Sequence, residues 1–76
     1  MQTKKFLKGW YRVSGEHHFS NVKLERSGEW SIDLRLSESG DLVDNGCLCS
    51  TKREAVEEAH RIIARKDALH IPAEAI

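Results

Sequence analysis

The chain has 76 residues, with 12 basic and 12 acidic side chains and a formal charge of zero. At that length it is one small domain, whose core rarely supplies more than about 3–5 kcal/mol of net stability and leaves little to spare for a strained catalytic constellation. Balanced charge argues against a general polyanion binder unless the charge is segregated, and 39% hydrophobic with 32% charged residues argues against disorder.

The basic start from Met1 to Lys8 is not followed by an apolar run, so no secretory signal or membrane span is expected. Two cysteines cannot form a disulfide framework, which points to reduced thiols and a cytoplasmic location.

In chain order, residues 5–14 read as a first strand, with Leu7, Tyr11 and Val13 on one face and Phe6, Lys8, Trp10 and Arg12 on the other. Ser14-Gly15-Glu16 is a turn. Residues 18–26 form a second strand, Val22 and Leu24 inward, Asn21, Lys23 and Glu25 outward. Ser27-Gly28-Glu29 reverses the chain.

Residues 29–37 carry the clearest period of two. Trp30, Ile32, Leu34 and Leu36 alternate with Ser31, Asp33 and Arg35, as in a half-buried antiparallel strand. A weaker fourth strand spans residues 42–49, with a bulge or turn near Asp44-Asn45-Gly46.

Thr51 and Glu54 form a Thr-x-x-Glu capping box that opens a helix over residues 51–66. Ala55, Val56, Ala59, Ile62 and Ile63 make its apolar stripe, and Lys66 falls in the middle of that stripe. Glu57 and Arg61 are spaced to pair. Pro72 stops any continuation, leaving residues 70–76 as a tail. The expected fold is therefore α+β, an antiparallel sheet of three to four strands packed on one C-terminal α-helix, in a single domain over residues 1–76.

Cys47 and Cys49 could meet His17 and His18 as four ligands, but zinc sites draw sulfur pairs from knuckles spaced by two to four residues. The sequence leaves that metal open and assigns neither metal nor cofactor. His17 and His18 read as an exposed pair without an orienting carboxylate, and His60 and His70 as surface positions. Glu38, Asp41, Asp44 and Asn45 do not match a calcium loop and read as polar turn residues. No nucleophile, phosphate-loop or metalloprotease motif is present, so no enzyme is expected.

The outward sheet face carries Lys8, Trp10, Arg12, Lys23 and Arg35, an indole among cations of the kind found at binding hot spots. The stretch from Gly28-Glu29-Trp30-Ser31-Ile32-Asp33-Leu34 through Thr51-Lys52-Arg53-Glu54-Ala55 to Ala59 resembles the sheet-plus-helix modules of AP2-type domains and integrase amino-terminal arms. That resemblance implies three strands on one helix, with the exposed sheet in a DNA major groove and contacts from Arg35, Lys23 and Arg12. In size and style the chain is also similar to phage or plasmid accessory proteins, including anti-CRISPR inhibitors.

The expected function is non-catalytic binding or regulation, by docking on a protein or nucleoprotein partner through that face. DNA binding through the same face is the alternative. No membrane partner is expected, and an uncovered edge or the open face offers a route to a homodimer.

Overall fold

A computed structural model describes residues 2–69, with Gly46 and Cys47 described as backbone only. Strands β1 (Gln2–Leu7), β2 (Trp10–Ser14), β3 (His18–Leu24), β4 (Trp30–Leu36) and β5 (Leu42–Cys49) are followed by the helix α1 (Lys52–Leu69). The strands pair antiparallel in sequence order as one five-stranded sheet, and the fold is α+β.

The sheet has one strand more than the alternation suggests, because residues 5–14 are not continuous. The chain reverses at Lys8-Gly9, where Gly9 takes a φ of +79°. A side chain strongly disfavours that conformation. The Gly9 carbonyl then accepts the Leu24 N–H at 2.8 Å, which stitches the hairpin to β3. Leu7, read as inward, pairs with Trp10 across a register shift and is 63% exposed. Leu24 pairs with Trp30 on the helix side, yet it remains exposed.

Strand β5 is present over the span read from the sequence. Its register against β4 shifts twice, once between Ser31 and Asp33 and once between Leu34 and Arg35. The first shift lies opposite Gly46-Cys47, close to the expected bulge.

The helix begins as its sequence dictates, with Thr51 Oγ1 accepting the Glu54 N–H at 3.2 Å. It runs to Leu69, three residues past the expected end. Ala55, Ala59 and Ile63 are fully buried, with Val56 and Ile62 packed beside them. The two alanines let the helix lie close against Val13, Val22, Ile32 and Leu34, which complete the core. Arg61 pairs with Glu58 at 2.9 Å rather than with Glu57, whose partner is Arg53 at 3.3 Å. Three residues bring Glu58 to the same side as Arg61, and the earlier turn offers Glu57 its own cation. The helix packs on β2 through β5 and makes no contact with β1.

Gly15 closes the β2–β3 turn, its N–H donating to the His18 carbonyl at 2.8 Å. A Cβ there would strike Ile63 Cγ2 and come within 2.6 Å of Asp67 Oδ2. Gly15→Ala is expected to destabilise the fold by about 1–3 kcal/mol, the usual range for overpacking. Urea unfolding reads this directly, and an unchanged midpoint would show that the helix can shift aside.

A candidate interaction face on the open sheet

Side chains that pair across an antiparallel sheet point to the same side, so the register sorts the residues into rows. One row of the face away from the helix runs Leu7, Trp10, Lys23, Ser31, Leu48, and another runs Gln2, Ser14, Phe19, Arg35, Leu42. Between them, Lys4 pairs with Arg12 and Arg12 with Asn21, while Asp33 pairs with Asn45. The inward assignment of Ile32 and Leu34 holds, at 4% and 1% exposure. Asp33 and Arg35 lie on the opposite side.

The polar centre of this face is a connected network. Asn21 Oδ1 accepts from Trp10 Nε1 and from Arg12 Nε, both at 3.3 Å. Asn21 Nδ2 donates to Asp33 Oδ2 at 3.4 Å, and Arg35 Nε donates to the same oxygen at 3.2 Å. Arg35 Nη1 reaches on to the Gly40 carbonyl at 2.9 Å. Pairing between β3 and β4 passes from Phe19–Arg35 to Val22–Ile32 in constant register. Between those pairs, Asp33 Oδ1 takes the Asn21 N–H at 2.8 Å. A side-chain carboxylate thus stands in for a backbone acceptor, which accounts for a buried asparagine on the open face.

Around this centre sits a cluster of rings and cations. The Arg12 guanidinium lies 4.6 Å from the Phe6 ring centre and 4.4 Å from that of Phe19. Lys23 Nζ sits 4.9 Å from the Trp10 ring, and Phe6 and Trp10 are 5.4 Å apart. Each such contact contributes about 0.5–1 kcal/mol when exposed, so several together hold the cluster in place.

Of the residues singled out from sequence, Trp10, Arg12, Lys23 and Arg35 thus share one face. Lys8 does not join them, because it sits in the β1–β2 turn and is exposed. Lys4 and Phe19 were missed. Phe19 shares the parity of Asn21 and Lys23, a signal present in the sequence. Lys4 required knowledge of the extra hairpin.

The histidines behave differently from the sequence reading. His18 is buried at 5% exposure, and its Nδ1 lies 2.6 Å from Asp67 Oδ1. The same carboxylate accepts the Glu16 N–H at 2.8 Å and the His17 N–H at 3.1 Å. The orienting carboxylate exists after all, 49 residues away in sequence. The expected helix stopped at residue 66, so Asp67 fell just outside it, and only the longer helix of the structure carries this carboxylate to the β2–β3 turn.

Burial alone would raise the Asp67 pKa. Hydrogen bonds from His18, Glu16 and His17, with attraction to His18, outweigh burial and lower it. A shallow cleft of about 280 Å³ nearby is lined by Glu16, His17, Leu36, Ser37 and Glu38, without His18 or Asp67. The pair ties the β2–β3 turn to the helix. His60, read as a surface residue, is half-buried.

Among the described residues, no group of three or more His, Cys, Asp or Glu side chains is placed to hold a metal. Cys49 packs at the core beside Trp30, while the side chain of Cys47 and residues 70–76, including His70, lie outside the described residues. No described helix is long and apolar enough to cross a membrane. No family model, curated protein or solved structure matches this chain.

Proposed function

We propose that the chain is a non-catalytic docking module that engages a protein partner, free or within a nucleoprotein, through its open sheet face. An accessory inhibitor of the kind suggested by its size would be one form of this function. The observation that carries the reading is the cation–aromatic cluster of Phe6, Trp10, Arg12, Phe19 and Lys23. Trp, Phe and Arg in a pre-organised group are what protein interfaces concentrate at their centres.

The same cluster favours protein over nucleic acid. A single-strand binder stacks bases on bare rings, whereas here Arg12 and Lys23 already lie over them. Asp33 also stands at the centre of the face, where a phosphate backbone would be repelled.

Trp10→Ala and Lys23→Glu are each expected to weaken capture of the partner by about tenfold or more while circular dichroism stays native. Capture that survives both changes would remove the open face as the docking surface. A duplex shift assay at low salt checks the DNA alternative. Binding whose affinity falls steeply with salt, with a slope flattened by Lys23→Ala, would replace the protein reading.

A further inference from the structure

We propose that the outer edge of β1 accepts an acidic, extended segment of the partner as a sixth strand, a proposal that rests on the docking reading above. Strand β1 is last in the sheet order, so one side of its backbone pairs with β2 and the other has no strand beside it among the described residues. All six of its residues are exposed, and the helix does not reach it. Residues 2–5 hold regular register before the shift between Lys5 and Leu7, which gives a short template with both ladder donors and acceptors. The opposite edge is a poorer template, because β5 shifts register twice against β4.

Charge identifies the chemistry of the incoming strand. Before Glu16 the chain has Lys4, Lys5, Lys8 and Arg12 and no acid. Lys4 and Lys5 alternate to opposite faces of the edge. Neither they nor Lys23 and Lys52 have a carboxylate partner among the described residues. They rest on rings instead, Lys4 at 5.4 Å from Phe6, Lys5 at 6.0 Å from Tyr11 and Lys52 at 4.2 Å from Tyr11. A strand laid along β1 with acids at consecutive positions would place one carboxylate beside Lys4 on the open face and the next beside Lys5 on the helix side. The same lysines repel a second copy of β1, which disfavours symmetric pairing of two chains through this edge.

The test uses the full chain and a blocked peptide of about ten residues, built from Thr, Val and consecutive Glu pairs. Hydrogen exchange is followed by NMR at low salt. Amides of residues 2–5 that point away from β2 are expected to slow by about tenfold or more at saturation. A peptide N-methylated at alternate residues, unable to complete the ladder, should lose the effect. So should the Lys4→Glu, Lys5→Glu double variant, whose exposed positions leave the fold intact. No slowing at millimolar peptide, or slowing that survives N-methylation, overturns the proposal. Shifts confined to Trp10, Phe19 and Arg35 would also overturn edge pairing while leaving the docking face standing. That face fails separately if partner capture ignores Trp10→Ala.

Discussion

Asp67→Ala is expected to leave a large fraction of the chain unfolded at 25 °C. The carboxylate accepts hydrogen bonds from Glu16 N–H, His17 N–H and His18 Nδ1 at 2.8, 3.1 and 2.6 Å. A hydrogen bond to a charged group contributes about 1.5–3 kcal/mol, and the three do not add fully, because the exposed Glu16 amide can turn to water. A loss of about 3 kcal/mol follows, close to the whole net stability of a domain this size. Thermal and urea unfolding read it, and a midpoint within experimental scatter of the parent would show that the turn needs no such anchor.

Acid titration separates the charge from the shape. The folded pKa of Asp67 lies below its ordinary value, so the carboxylate binds protons more weakly in the native state than in the unfolded chain. Its contribution is therefore complete above the unfolded value near 3.8 and is lost as pH falls through the lower folded value. Asp67→Asn should flatten this part of the acid limb of the stability curve. An acid limb identical to the parent's would place the pH dependence elsewhere.

Asp33→Ala is the second large effect, at about 2–3 kcal/mol. The change strips the Asn21 N–H of the acceptor that holds it at 2.8 Å, within a residue only 8% exposed. A buried N–H without a partner costs about 1–3 kcal/mol, and Arg35 loses its carboxylate as well. Asp33→Asn keeps one acceptor oxygen and should cost only about 1 kcal/mol. Equal losses for the two variants, measured by urea unfolding, would mean that the backbone contact does not organise the sheet. With Asp33→Ala, Arg35 keeps the Gly40 carbonyl as its one acceptor among the described residues, so the change should also loosen the open face.

Local signals account for most of the architecture. The alternation from Trp30 to Leu36 assigned Ile32 and Leu34 to the core and Asp33 and Arg35 to the open face. Thr51 and Glu54 located the helix start, and Ala55, Val56, Ala59, Ile62 and Ile63 marked the stripe that it lays on the sheet. Trp10 and Arg12 were placed on the correct face even though their strand was drawn too long, because the reversal at Lys8-Gly9 lies before them. A lone glycine inside an alternating run is compatible with a continuous strand, so the hairpin itself was not legible.

Periodicity and capping act over a few residues, so the chain's own order determined the element types, the sidedness of the central strands and the apolar stripe of α1. The tertiary structure alone decided that Asp67 meets His18 across 49 positions of sequence. It also decided that Asp33 replaces a backbone acceptor for Asn21, and that Arg12 lies between Phe6 and Phe19. Those contacts depend on which strands become neighbours and in what register, a long-range outcome that no short window of residues contains.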